Sequence, residues 1–171
     1  METTTTSPWP PRSADADGLL TACIGVLGWP LLADREPVAP QDVLSVQAKL
    51  PGAVWSTVCG TRFDAVAVPA AVGRGAVLAL KRDEDQGRTG AVVPCLIAGA
   101  ERIFFVRAGT GVTVPGARVL SGEQLVPVPP TGGLRWETPP WDVSTRRPVV
   151  PPDARVLVRH LTLLADPAIR H

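Results

Sequence analysis

Histidine, cysteine and lysine are all scarce in this 171-residue sequence, and the first two shortages each remove a class of chemistry. The only histidines, His160 and His171, lie at no ligand spacing from a cysteine or carboxylate, which argues against a metal site and a Cys–His nucleophile. Cys23, Cys59 and Cys95 are odd in number and far apart, with no CxxC. Neither a disulfide framework nor a four-cysteine zinc site is expected, and the three read as reduced, buried thiols. GVLG, GRG and GTG are short glycine doublets, none of which makes GxGxxG or a P-loop. No apolar run approaches the ~20 residues of a membrane span. The opening METTTTSPWPPRS has no apolar stretch of the signal-peptide kind. These absences predict a soluble, cytoplasmic chain with no membrane partner, no metal and no cofactor.

What is present suits one folded domain. Hydrophobic residues make up 45% and charged residues 19%, with a net charge of +1, which excludes wholesale disorder and a general polyanion binder while permitting a local basic face. Lysine occurs only as Lys49 and Lys81; the other basic residues are arginine, a skew that fits the coding bias of a GC-rich bacterial genome.

Residues 1–13, rich in Thr, Ser and Pro around Trp9, are expected to be a disordered tail, leaving 14–171 as the domain. Asp15 or Asp17 can cap a helix over 18–28, with Leu19, Cys23, Val26 and Leu27 on one face and Gly28 ending it. A short strand begins at Trp29-Pro30-Leu31-Leu32. Pro40 suits a helix start, with Val43, Val46 and Leu50 on its stripe. Residues 53–58 and 64–68 read as two strands, 70–81 as a helix weakened by Gly73 and Gly75, and 83–90 as a polar turn. Residues 91–98 and 102–107 flank a hairpin turn at Gly99-Ala100. Further short strands are expected at 112–114, 118–120, 124–128 and 134–136, with a turn at 129–133. ETPPWDVSTRRPVVPP (137–152) reads as an exposed, extended connector. Asp153 then opens a helix to 165 whose apolar face is Val156, Leu157, His160, Leu161 and Leu164, with Arg155 and Arg159 outside. The order of elements predicts an α+β fold with a mostly antiparallel sheet.

Metal-dependent group transfer needs converging carboxylates. Asp83-Glu84-Asp85 reads as a solvated charge run, and Asp64 begins a strand with no second acid until Asp83. His160 sits on an apolar stripe and His171 at the C-terminus, so the residues alone show no catalytic site.

FDAVAVPAAVG (63–73), GAVVPCLIAGAERIFFVRAG (90–109) and LVPVPPTGGLRWETPP (125–140) together resemble the N-terminal domain of bifunctional DNA primase/polymerases, especially its short standalone form from GC-rich bacteria. Gly28-Trp29-Pro30 after a helix, the strand and small-residue turn at 66–72, and the Val126-to-Pro130 segment occur in the family's order, over about 18–165. The resemblance implies a primase-polymerase-like fold with an RRM-like core. In active members two acids spaced one apart on a strand hold divalent metal, a histidine on the next hairpin contacts the incoming nucleotide, and a third acid precedes the Pro-Pro segment.

This chain departs at each of those positions. Val66-Ala67-Val68-Pro69-Ala70 stands where the acid pair belongs, with only Asp64 near it. Arg102 aligns with the histidine and Arg118 with the third acid, Glu123 lying a few residues on. A cysteine-rich zinc insert after Leu32 is absent. The expectation is a pseudoenzyme: a binding or regulatory module for nucleic acid or nucleotide, with a vestigial face of Asp64, Val66, Val68, Arg102 and Arg118. Arg146, Arg147, Arg155 and Arg159 are its candidate nucleic-acid contacts. Against an anion site, Arg102 and Arg118 can equally be paired on the surface with Asp64, Glu101 or Glu123. A second reading is a protein-interaction adaptor using exposed tryptophan, chiefly Trp9 and Trp141, and the Pro-rich connector, with Trp29, Trp55 and Trp136 in the core. The third is an active nucleotidyltransferase using Asp64 and the acids at 83–85.

Overall fold

The computed structural model describes residues 15–88, 91–142, 144–145 and 147–165, with the backbone alone for 162–165. The tail at 1–13, Trp9, Arg146 and His171 lie outside the described residues, as does the side chain of Leu164.

Asp15 caps the first helix, its Oδ1 accepting from Gly18 N at 2.8 Å, and α1 (Ala16–Ala22) continues as a π-turn over Cys23–Leu27. Gly28, at φ 62°, supplies the left-handed C-cap that a side chain would resist. The π-turn alters the helical period, and the most buried residues are Leu20 and Cys23 rather than Leu19 and Val26. β1 (Leu31–Ala33) and β2 (Glu36–Val38) form a tight hairpin, with Asp34 and Arg35 at positive φ in its corner. Pro40 begins a 3-10 turn that leads into α2 (Val43–Lys49). Leu50, expected on the α2 stripe, is exposed; Gln47 takes the inward place because its Oε1 accepts from the buried Trp55 indole at 2.7 Å.

β3 (Trp55–Pro69) is one strand of 15 residues, where the sequence suggested two. The apparent gap is a bulged bend: Gly60 lies opposite Gly122, both at positive φ, with register shifts on either side. β6 (Arg118–Pro127) runs through the same irregularity, merging the strands expected at 118–120 and 124–128. Between them come α3 (Ala70–Asp85), β4 (Cys95–Ala98) and β5 (Glu101–Val106). α3 is longer than expected and absorbs the acids read as the start of a turn, while the strand expected over 91–98 keeps only its second half. Residues 112–114 are not a strand: Gly111–Thr113 is a 3-10 turn, tied by the Thr110 and Thr113 hydroxyls to backbone carbonyls.

β7 (Leu134–Thr138) closes the far edge of the sheet, whose main path is β2-β1-β3-β5-β4-β7, with β6 beside β3 and every described pairing antiparallel. The 137–152 segment is neither wholly exposed nor wholly extended. Pro139, Pro140 and Trp141 are buried, Trp141 packs edge-on to Trp136 at 5.9 Å, and β8 (Trp141–Asp142) pairs with β9 (Arg147–Pro148). α4 (Arg155–Ala165) ends the described chain.

Alternation along β3 divides the core in two. Phe63, Ala65 and Ala67 point to the layer of α1 and α2 with Leu20, Val43, Trp29 and Phe105. Val66 and Val68 point to the layer of α3 and α4 with Val77, Leu80, Phe104, Leu157 and Leu161. The molecule is therefore an antiparallel sheet with helices on both faces, an α+β fold.

Candidate functional site

The sheet face toward α3 and α4 carries Val66 and Val68 from β3, in the stretch where the resemblance implies a metal-holding acid pair, with Asp64 beside them. Val66 and Val68 are sealed in the core, and Asp64 is 2% exposed. The Asp64 carboxylate is already engaged: Oδ2 accepts from Gly111 N at 2.9 Å. A Cβ on Gly111 would lie 2.8 Å from Asp64 Cβ, so glycine there is what lets the 3-10 turn approach the carboxylate. Asp64 thus anchors a turn.

The acids at 83–85 do not join it. Asp83 lies in the α3–α4 interface, with its Oδ2 3.2 Å from His160 Nε2 and both side chains buried. Glu84 and Asp85 are exposed at the end of the helix. No group of three or more His, Cys, Asp or Glu among the described residues is placed to hold a metal ion.

The two arginines expected to share the vestigial face are on opposite sides of the sheet. Arg102 pairs in register with Val68 and faces α3. Arg118 pairs with Ala67, whose side chain belongs to the other layer, and its Nη2 meets Glu101 Oε2 at 2.6 Å on an exposed part of the surface. The face is therefore corrected to Asp64, Val66, Val68 and Arg102, without Arg118. Of the basic residues proposed for nucleic acid, Arg147, Arg155 and Arg159 are exposed. Arg155 and Arg159 stand one turn apart on the outside of α4, and Arg107 pairs with Asp153 at its start. The Asp153 carboxyl is held below its ordinary range first by the Arg155 N–H and further by the Arg107 guanidinium.

What does assemble around Arg102 was not visible in the sequence. A row of paired residues crosses the sheet from Val68 through Arg102 and Ile97 to Arg135. With Arg74 from α3 and Trp136 and Glu137 from β7, this row lines a pocket of about 280 Å³. The Arg102 Nε donates to Glu137 Oε2 at 2.7 Å, and both side chains are mostly withdrawn from solvent. Gly73 makes room for this arginine: a Cβ there would lie 2.4 Å from Arg102 Cβ and 2.6 Å from its Cγ. The Gly99-Ala100 turn fixes Ile97 opposite Arg102 and was legible; the pairing of β4 with the distant β7, which brings in Arg135 and Glu137, carried no local signal.

Trp141, offered as an exposed docking residue, is 5% exposed, and Trp29 and Trp55 are core as expected. Compared with known proteins, the chain matches no family model, no curated protein and no solved structure. Among the described residues no helix is long and apolar enough to cross a membrane.

Proposed function

We propose that this domain works by binding, as a catalytically degenerate relative of the DNA primase/polymerase-like fold that acts in the cytoplasm on nucleic acid or nucleotide. The observation that carries this reading is the state of the β3 face: Val66 and Val68, in the stretch where the resemblance implies paired metal ligands, are buried in the core, and Asp64 is bonded to Gly111. Two-metal phosphoryl transfer requires ions that neutralise phosphate charge and activate a hydroxyl, and a buried valine pair supplies no oxygen for either. The adaptor reading loses support with the burial of Trp141, one of the two tryptophans it expected to be exposed.

The test is primer synthesis and extension by the purified chain with magnesium or manganese. No dNTP incorporation is expected above a no-protein control. Incorporation that depends on metal and disappears in Asp64→Asn, with the variant folded by circular dichroism, would overturn the reading.

A further inference from the structure

We propose that the pocket between α3 and the β4-β5-β7 part of the sheet is a binding site for the oligophosphate group of a small ligand. The proposal rests on reading the domain as a binder and names the chemical class of what it binds. Arg74, Arg102 and Arg135 line this pocket with one carboxylate, Glu137, which leaves a local surplus of two positive charges. The three arginines differ in role. Arg102 is preset, its stem laid against the helix backbone at Gly73 and its Nε held by Glu137. Its two Nη nitrogens make no hydrogen bond to a described residue. Arg74 and Arg135 are exposed, and neither side chain is paired with a described residue.

Like charges gathered around one pocket repel unless an anion is shared between them, and Glu137 answers only one of the three. A single carboxylate ligand would leave a positive charge over. A group with two or more negative charges balances the site, and guanidinium forks match phosphate oxygens in bidentate geometry. The volume of about 280 Å³ is far above the ~10–15 Å³ that admits one water. Ile97 supplies the one aliphatic side chain of the lining, between Arg102 and Arg135 in the row. An ion pair at the surface is ordinarily worth little, but Arg102 and Glu137 are only 12% and 20% exposed at the side chain, so the fork is held in reduced screening.

The decisive experiment is calorimetric titration of the full chain at physiological salt with sodium tripolyphosphate, a nucleoside triphosphate and the corresponding nucleoside. One saturable site is expected for the first two and none for the nucleoside. Tripolyphosphate binding as tight as the nucleotide's would place recognition in the phosphates alone; tighter nucleotide binding would add a contact to base or sugar at the same site. Arg74→Gln/Arg135→Gln, which leaves the half-buried Arg102 in place, should lower the affinity by about tenfold or more, since charge-assisted hydrogen bonds to phosphate are lost. Arg35→Gln/Lys49→Gln, exposed in the β1–β2 corner and on α2 and outside the pocket lining, should leave it unchanged. No saturable binding by the wild type, or an equal loss in both double variants, sinks the pocket. If oligonucleotide binding by the wild type survives that result, the pocket alone has failed and the broader reading stands.

Discussion

Cys23, Cys59 and Cys95 are free thiols with no exposed surface. Burial pushes Cys23 from an ordinary 9.0 up to about 12, and pushes Cys59 up to about 11 with the Asp64 charge adding to it. Cys95 moves the same way, first through burial and then through the neighbouring Glu137. A thiol whose folded pKa is raised stays protonated while the unfolded chain gives up its proton. Its contribution is therefore complete below pH 9 and is lost as pH rises from about 9 toward 11–12. The slope is at most about 1.4 kcal/mol per pH unit for each thiol. Thermal midpoints should be level on the neutral side of pH 9 and fall above it, and Cys23→Ala should flatten part of the fall. At pH 8 the native chain should resist an aromatic disulfide reagent while the unfolded chain reacts at all three sites; rapid native labelling would contradict the sealed core. Thiol burial was legible from number and spacing. The need for Gly73 was not, because a glycine inside a helical pattern reads as a weakness until the Arg102 stem beneath it is seen. Nor did Asp64 announce itself as a turn anchor, since its partner is a backbone N–H 47 residues away.

The α3–α4 pair shows how an element's role differs from its pattern. The α4 stripe was readable, and Leu157, His160 and Leu161 are buried as its spacing requires. What lies opposite His160 was not readable, because Asp83 belonged to a run of acids that looked solvated. Asp83 faces inward, Glu84 outward, and α3 therefore carries one of the three acids into an interface. Asp83→Ala should cost about 1–3 kcal/mol by leaving the buried imidazole without its carboxylate. Leu157→Ala should cost about 2–5 kcal/mol through lost burial and the cavity left behind. Glu84→Ala, one residue along, should stay within about 0.5 kcal/mol. Urea unfolding measures all three, and equal midpoints for the Asp83 and Glu84 variants would mean that the His160 contact contributes nothing. The long strands were misread for a related reason. Gly60 and Gly122 look like breaks in sequence, but facing each other they become a bulge that β3 and β6 pass through together.

At the scale of the whole molecule, the α+β class and the antiparallel sheet follow from the order of the elements, while the grouping of charge depends on which strands become neighbours. Arg102 and Arg118 have the same charge and lie on the two strands that flank β3, yet opposite parity against β3 puts them on different faces. Of the arginines assigned to a long polyanion, Arg147, Arg155 and Arg159 are exposed, on a chain whose net charge is only +1. So small an excess admits few phosphate contacts, and no broad field steers a polyanion to the surface. Each contact releases counterions, contributing a slope of roughly −0.9 for duplex DNA and roughly −0.7 for single strands in a plot of log K against log salt. Binding to a short oligonucleotide should therefore be weak near physiological salt and should steepen with no more than a few contacts. Arg155→Ala/Arg159→Ala should make the slope shallower by about the value of two contacts, roughly 1.4 for a single strand. Fluorescence anisotropy across a salt series gives this directly. Nanomolar affinity that persists at high salt would require base recognition or stacking, and would place the interface somewhere other than the outer face of α4.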